Sequence, residues 1–348
     1  MTSPNDAPEK PKRRVRYSGK NPKKFSEKYK ELNPERYAQD IEKIKSRGAT
    51  PVGTHRPICV DEIMQILAPK AGESALDATL GYGGHTSVLL SKLLPGGRLI
   101  GLDQDPIERT KTEARLRATG IPEESLIIGA VNFRDAKKTL ADLKIFKVDM
   151  ILADLGISSM QIDDPNRGFS YKINAPLDLR MNPTQGISAA ELLTQKTASQ
   201  VALILHENSD EMRADVIAKA LVTKKPKTNL QMVEVIREVI SGFSKKVQAE
   251  EGDAPIRKAF QALRIAVNDE FNVLDQFLKD IPEMLNPNGR VAILSFHSGE
   301  DRRVKKSFQF FKRSGVYKEV AEDFIRPSPE EQRANSRSTS AKLRWAKN

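Results

Sequence analysis

The segment from residue 74 to residue 156 repeats one pattern, in which a short apolar run is followed by a stretch of helical periodicity. Four such runs occur: SALDAT (74–79), RLIGLDQD (98–105), SLIIGAV (125–131) and VDMILADLG (148–156). Alternation of this kind predicts βαβ units and a parallel sheet. Because a parallel sheet is buried on both faces, helices must cover both. We therefore predict an α/β fold.

The alternation stops near residue 165, and residues 188–250 show helical patterns only. Two of these patterns begin with the spacing of a capping box, Ser188 with Glu191 and Thr228 with Gln231. A helical block of this length between two parts of a sheet predicts an inserted all-helical subdomain.

The strand pattern returns after the helical block. A long amphipathic helix is expected over residues 260–281, followed by a fifth strand at NPNGRVAILSF (286–296) and a short last strand at SAKLRWA (340–346). We therefore predict three parts, which are an N-terminal arm, a discontinuous sheet domain and the helical insertion. Their expected ranges are 1–50 for the arm, 51–165 and 254–348 for the sheet domain, and 166–253 for the insertion.

Positive charge is concentrated at the N-terminus. Residues 1–50 hold 14 Lys/Arg and 7 Asp/Glu, so +7 of the net charge of +11 lies there. Five prolines in the same stretch predict that the arm is partly disordered. Such an arm suits either a polyanion, through counterion release, or a solubilising role. Four aromatic residues among the basic ones favour nucleic acid, namely Tyr17, Phe25, Tyr29 and Tyr37.

Composition narrows the class of protein further. No run of about 18 apolar residues exists, which predicts no membrane span, and the N-terminus lacks the apolar core of a secretory signal. Cys59 is the only cysteine, so no internal disulfide can form and a reducing cytoplasm is expected. We interpret Cys59 as a packing residue and expect no metal site, since no CxxC or HxxxH spacing occurs.

The first strand runs into a glycine turn, Gly81-Tyr82-Gly83-Gly84, which is followed by His85. Asp103 ends the second strand, and an acid there can accept hydrogen bonds from two ribose hydroxyls. The alternative role for Asp103, capping the next helix, suits Asp105 better because Pro106 follows it. The turn lacks the G-x-G-x-x-G spacing of dinucleotide sites, which favours S-adenosylmethionine over NAD.

A third acid, Asp154, ends the fourth strand. Ligands of open α/β sheets bind at the carboxyl ends of the strands, so Asp77, Asp103 and Asp154 are predicted to lie on one rim. Carboxylates suit a cationic sulfonium and disfavour a dinucleotide phosphate.

Eight motifs from about residue 55 onwards resemble, in order, those of the bacterial small-subunit ribosomal RNA methyltransferase H (MraW) family. They are DATLGYGGHT, LDQDP, ADLGISSMQIDD, RGFS, PLDLRM, FQALRIAVNDE, SFHSGEDR and RSTSAKLR. The resemblance implies a Rossmann-like class I methyltransferase sheet with an inserted helical domain. It also implies methyl transfer to N4 of a cytidine in the decoding centre of 16S rRNA, with the small ribosomal subunit as partner. Members are often dimers, so a homodimer is expected.

The resemblance also implies roles for particular residues. Gly83, Gly84 and His85 match the cofactor loop, and Asp103 matches the ribose-binding acid. Phe133 matches an aromatic residue near the adenine, while Asp154 and Gln161 match a further pair of cofactor contacts.

For the chemistry, Asp154 is our first candidate to accept the N–H groups of the target amine. His297 is expected either to contact the base or relay its proton, or to be a structural histidine tied to the backbone. Asp178 and Arg180 either serve the site or form an internal salt bridge. The loop with Phe169 and Tyr171 is a candidate to close over the site, and Trp345 is a further aromatic near a motif. His206 is expected at the surface.

Several positions depart from the family pattern. Met160 stands where proline is usual, Gly299 where leucine is usual, and Ala254-Pro255-Ile256 replace a His-Pro-Ala stretch. Residues 206–221 lack the expected arginine-rich pattern of a helix that meets RNA.

The sequence leaves three hypotheses for the function. They are this methyltransferase or a paralogue acting on another RNA base, a nucleotide-linked oxidoreductase, and a non-catalytic RNA-binding factor. The intact cofactor loop favours the first.

Overall fold

The computed structural model describes residues 57–348. The predicted N-terminal arm lies outside these residues. The first half of the described chain alternates strands with helices as expected, and its elements are α1 (Val60–Leu67), β1 (Ser74–Asp77), α2 (Gly84–Leu93), β2 (Arg98–Leu102), α3 (Pro106–Arg117), β3 (Leu126–Gly129), α4 (Ala136–Asp142), β4 (Val148–Asp154) and α5 (Ser159–Asp163).

The second half begins with helices alone and then returns to the sheet. Its elements are α6 (Ala189–Gln195), α7 (Ala198–Ser209), α8 (Ala214–Lys224), α9 (Asn229–Ser241), α10 (Lys245–Glu251), α11 (Ala254–Asn268), α12 (Glu270–Met284), β5 (Leu285–Ser295), α13 (Ser298–Arg313), β6 (Glu319–Val320), α14 (Pro329–Ala334) and β7 (Lys342–Lys347). The two-residue strand β6 carries no sequence signal and was not predicted.

The seven strands form one sheet in the order β3-β2-β1-β4-β5-β7-β6. The first five are parallel to their neighbours, whereas β7 runs antiparallel to both β5 and β6. The chain order reverses between β1 and β4, which is the position where doubly wound sheets bind ligands. This arrangement confirms the predicted α/β class.

Side chains of each strand alternate between two hydrophobic clusters. Leu76 and Ile100 pack with α12 and α13 on one face, while Ala75 and Leu99 pack with α1 and α2 on the other. Since both clusters are fully buried, the sheet is covered on both faces as predicted.

A third cluster holds the helical unit together. It is built from α6, α7, α8, α9 and α11 and contains Leu205, Ile217, Ile236 and Leu263, which are buried. Both predicted capping boxes are present, at Ser188 with Glu191 and at Thr228 with Gln231. Because α11 packs in this cluster, we propose that the helical unit extends to Asn268 rather than ending at the predicted residue 253.

The single helix predicted over residues 260–281 is wrong, because two helices meet there. Asp269 adopts the left-handed conformation, with φ of 52°, between α11 and α12. Asp tolerates this conformation better than most residues. The amphipathic pattern runs through the break, yet α11 buries its apolar face in the helical unit and α12 buries its own against the sheet. No helix within residues 57–348 is long and apolar enough to cross a membrane.

Candidate active site

Three acids lie at the carboxyl ends of neighbouring strands, as predicted. Asp77 and Asp154 are the last residues of β1 and β4, which are adjacent, and Asp103 directly follows β2 on the other side of β1. His297 follows β5, the next strand beyond β4. The site therefore occupies the edge of the sheet at its topological switch point.

The glycine turn joins β1 to α2. Gly83 caps α2 with φ of 73°, and a β-carbon there would lie 2.9 Å from Thr112 Cγ2 of α3. A β-carbon on Gly84 would overlap Pro57. The structure thus explains both glycines by close packing, and their predicted contact with the cofactor stays a prediction. Gly81 has φ of 46°, and a β-carbon there would lie 3.8 Å from Thr79 O, in ordinary van der Waals contact.

Asp103 is held by the turn that it faces. Its Oδ2 accepts the Gly81 N–H at 2.9 Å, and its Oδ1 accepts the Asp105 N–H at 2.8 Å. Burial raises the pKa of Asp103 to about 7, although these two hydrogen bonds oppose the shift. Each oxygen keeps a second lone pair, which is what a diol-binding acid requires.

Asp105 caps α3, as predicted, by accepting the Ile107 N–H at 2.9 Å. Its other oxygen accepts from Arg167 Nη1 at 2.7 Å and from Gln161 Nε2 at 2.8 Å. Gln161 also accepts the Ser158 N–H within a capping box at the start of α5. Both ends of its amide are therefore engaged within the protein, and its predicted role in cofactor binding stays a prediction.

Arg167 was missed by the sequence analysis. It is 5% exposed, pairs with the buried Asp105 and donates to Met181 O at 2.7 Å. The only signal was its place in the RGFS motif, which does not disclose a partner 62 residues away. This arginine ties the loop after β2 to the loops that precede the helical unit.

His85 lies between the first helix turn and β4. Its Nε2 is 2.9 Å from Ile58 O, which can only accept, so Nε2 carries a proton. Its Nδ1 lies 3.7 Å from Asp154 Oδ2. The imidazole is buried, and at this distance it acts on the Asp154 carboxylate electrostatically rather than through a hydrogen bond.

Asp154 lies at the rim with its side chain 29% exposed. Its Oδ1 is buried and has no hydrogen-bond partner within residues 57–348, whereas its own N–H donates to Thr79 Oγ1 at 2.6 Å. Burial raises the pKa of Asp154 to about 6; His85 opposes the shift, and the nearby carboxylates of Asp77 and Glu300 add to it.

Asp77 has a structural role at the site. It is 1% exposed and accepts from Thr86 Oγ1 at 2.6 Å and from the Thr79 N–H at 3.1 Å. Burial raises its pKa, although these hydrogen bonds counteract the effect.

Phe133, the expected adenine neighbour, follows β3 and packs edge-on against Phe277 with ring centroids 5.1 Å apart.

His297 is paired with an acid rather than tied to the backbone. Its Nε2 lies 3.2 Å from Glu300 Oε1, and its ring lies 5.8 Å from the ring of Phe271. Glu300 is 3% exposed and accepts the Phe296 N–H. Burial would raise the pKa of Glu300, but His297 and Arg264 hold it below its usual value.

The remaining candidates lie in structural roles or at the surface. Arg180 forms a two-pronged salt bridge with Asp178, which is the internal-pair alternative. Cys59 is fully buried among apolar residues, and burial raises its pKa, as expected for a packing residue. His206 is exposed, as predicted.

The loop expected to close over the site is held against the helical unit by packing and hydrogen bonds. Phe169 is buried in the helical cluster, and Asn229 Nδ2 donates to both Gly168 O and Ser170 O. Tyr171 packs against Phe260, and Trp345 lies in β7. These contacts make the loop part of the helical unit.

Two clusters of potential metal-binding atoms occur within the described residues. In each cluster, at least one member already takes part in hydrogen bonds within the protein. One joins Cys59, Glu62 and Glu331, and the other joins Glu270, His297 and Glu300. The Cys59 N–H donates to Glu331, and Glu270 is held in two hydrogen bonds by Arg264. That the protein binds no metal stays a prediction.

The sheet order and the acidic rim at its switch point define a class I S-adenosylmethionine-dependent methyltransferase. Residues 53–348 match the model of the MraW methylase family, and the chain belongs to that family. This membership confirms S-adenosylmethionine as the cofactor. The residues at the rim fit it, because Asp103 keeps acceptor capacity and Asp154 presents an unpartnered oxygen.

Named relatives extend the similarity beyond the family model. The chain is 48% identical over 343 residues to "Ribosomal RNA small subunit methyltransferase H 2" of Alkaliphilus metalliredigens, covering 97% of this chain and 98% of that protein. It is 50% identical to "Ribosomal RNA small subunit methyltransferase H 1" of Lachnoclostridium phytofermentans, covering 96% and 92%. The match to "Ribosomal RNA small subunit methyltransferase H" of Heliobacterium modesticaldum is 36% identical and covers 84% and 97%.

Proposed function

We propose that this protein transfers a methyl group from S-adenosylmethionine to N4 of a cytidine in the decoding centre of 16S rRNA, within the small ribosomal subunit. The names of the relatives support the substrate, and the resemblance to the family supports the nucleotide. The observation that carries the chemistry is the Asp154 carboxylate at the carboxyl end of β4, whose side chain is 29% exposed and whose Oδ1 has no hydrogen-bond partner within residues 57–348.

The bound cofactor supplies an electrophilic methyl group next to this rim. Asp103 is the residue to hold the ribose, and Phe133 is the residue to lie against the adenine. The glycine turn at Gly81, whose N–H is bonded to Asp103, is the segment to lie beside the amino-acid portion.

The target amine is a weak nucleophile, because its lone pair is delocalised into the cytosine ring. The Asp154 carboxylate accepts one N–H of the amine, which localises the lone pair and directs it. His85, whose ring is fixed by Ile58 O, lies 3.7 Å from Asp154 Oδ2 and favours the carboxylate form electrostatically. With a pKa of about 6, Asp154 can also take the proton that the amine releases.

The cytidine must leave its stack to reach this rim. We propose that His297, at the next strand end beside Glu300, contacts the base, which requires its buried ring nitrogens to be uncovered when the substrate binds. The expected homodimer and the cytoplasmic location stay predictions.

A second candidate is a paralogue that methylates another RNA base. The sequence departs from the family pattern at Gly299 and in residues 206–221, and the latter is where a helix that meets RNA is expected. The relatives at 46–50% identity carry the numbers 1 and 2 in their names.

The test is methyl transfer from labelled S-adenosylmethionine to small subunits that lack the modification, followed by nucleoside mass analysis. We expect label in N4-methylated cytidine, and at least a 100-fold loss of rate in Asp154→Ala. Asp142→Ala, which removes an exposed acid of α4, is the matched control and should retain the wild-type rate. Label in a different nucleoside would establish the paralogue, and no label would overturn the assignment to the small subunit.

A further inference from the structure

A cavity of about 610 Å³ lies where the helical unit meets the sheet. It is bounded by the end of α7, the junction of α11 and α12, and the first turn of α13. Its lining includes His206, Asn208, Asp269, Phe271, Arg302 and Arg303. A cavity of this size accommodates a nucleotide.

The cavity borders the active site through one aromatic contact. The Phe271 ring, which lines the cavity, contacts the ring of His297 on its other flank. His297 in turn pairs with Glu300, whose charge acts on Asp154. The cavity and Asp154 are therefore linked through Phe271, His297 and Glu300.

The Phe271 ring occupies space that is available only because residue 299 is a glycine. A β-carbon on Gly299 would lie 2.6 Å from Phe271 Cζ and 3.1 Å from His297 Nδ1. Because Gly299 stands where the family pattern has leucine, the departure noted in the sequence makes room for this ring. Arg303 lies over the ring at 4.1 Å from its centroid and is anchored by Asp275.

The walls of the cavity offer both donors and acceptors. Asn272 and Asp269 hydrogen-bond to each other at 2.6 Å on one side. Arg302 lies 3.6 Å from Asp210 across the rim, and both side chains are more than half exposed. A salt bridge so exposed is weak, so Arg302 can exchange Asp210 for a phosphate at little cost.

Basic charge continues outward from the cavity along α13. This helix holds six Lys/Arg and two Asp/Glu, a net charge of +4, which equals the net charge of the whole chain after residue 50. Lys305 and Lys306 follow Arg302 on its exposed side. A basic helix beside an aromatic residue is the combination that binds single-stranded nucleic acid.

We propose that this cavity binds a nucleotide that flanks the target cytidine, with its base beside Phe271 and the Arg303 guanidinium that covers it, and its phosphate at Arg302. The flanking position rests on the proposed function, whereas the nucleotide site itself does not. Gly299 and Phe271 would then help to select the nucleotide that lies next to the target cytidine.

The first experiment needs no methyl transfer. Binding of the four ribonucleoside 5′-monophosphates to the full-length protein is measured by ligand-observed NMR, with S-adenosylhomocysteine saturating the cofactor site. We expect at least one to bind, and Phe271→Leu to weaken it about 5-fold or more. Phe146→Leu is the matched control, because Phe146 is 72% exposed before β4 at the opposite edge of the sheet.

Arg302→Gln provides a second variant on the surface, where folding is not at risk. It should weaken the monophosphate but leave the corresponding nucleoside unchanged, and Arg98→Gln at the amino end of β2 should affect neither. Absence of binding in the wild type, or equal binding in wild type and both variants, would overturn the proposal.

The second experiment separates this inference from the proposed function. On small subunits, Phe271→Leu should raise the KM about 5-fold or more while leaving kcat and the affinity for S-adenosylmethionine unchanged. If the wild type methylates subunits and Phe271→Leu behaves like it in both experiments, the cavity inference is wrong and the function stands. If the wild type does not methylate subunits but binds monophosphates through Phe271, the function is wrong and the nucleotide site stands.

Discussion

At the scale of the single residue, Asp154 should determine how the reaction depends on pH. Its pKa is raised to about 6 by burial, and only the carboxylate form can take a proton from the amine. The rate should therefore rise with pH through about 6 and level off above 7. Single-turnover rates between pH 5 and pH 8, at saturating cofactor and subunit, measure this. In Asp154→Asn the rate should fall about 100-fold or more and the rise should vanish; a persisting rise would assign it to another group.

Asp103 should govern a separate pH dependence, in cofactor affinity. Its pKa is raised to about 7, and the ionised carboxylate is the stronger acceptor for ribose hydroxyls. The Kd for S-adenosylmethionine should therefore fall as pH rises through about 7. In Asp103→Asn it should be about 10-fold higher above pH 8 and independent of pH, as calorimetry would show. An unchanged Kd in this variant would remove Asp103 from the cofactor site.

At the scale of the element, one buried ion pair joins the loops that carry the site. Arg167 and Asp105 are 5% and 1% exposed, and removing one partner leaves the other charge buried. Arg167→Met should lower the free energy of unfolding by about 3–5 kcal/mol. The exposed pair Arg333 and Glu330 offers a control, since Arg333→Met should cost at most about 1 kcal/mol. Denaturant unfolding compares the two, and equal losses would contradict the structural role given to Arg167.

At the scale of the whole molecule, the basic arm should contribute to RNA capture and not to chemistry. Residues 1–50 carry +7 of the net charge of +11, and the family model begins only at residue 53. Deleting them should raise the KM for subunits and flatten its dependence on salt, by up to about 5 in the log–log slope. The Kd for S-adenosylmethionine should not change. An unchanged salt slope would indicate that the arm does not contact phosphates.

The parts of the fold that could be predicted are those with local signals. The six strands β1 to β5 and β7, the cap at Asp105 and both capping boxes each depend on residues within a few positions of one another. The break at Asp269 was missed because the apolar periodicity continues across it. What separates α11 from α12 is the different cluster that each helix packs against.

The candidate site divides in the same way. The acids at the strand ends followed from the alternation of elements, since parallel strands end on one edge. The partners of those acids did not, because Arg167 reaches Asp105 over 62 positions and the Phe271 ring meets His297 over 26. Likewise, Gly299 was visible as a departure, but the ring that fills its place was not.

By itself, the amino-acid sequence determined the α/β class, the acidic rim, the cofactor and the family, because each is encoded in periodicity or in motifs of contiguous residues. Only the tertiary structure decided which rim groups are already engaged, which oxygen of Asp154 has no partner within residues 57–348, and that a cavity lies beside Phe271, the neighbour of His297. These properties arise from burial and from contacts between distant segments. They depend on how the helical unit packs against the sheet, and no local pattern specifies that packing.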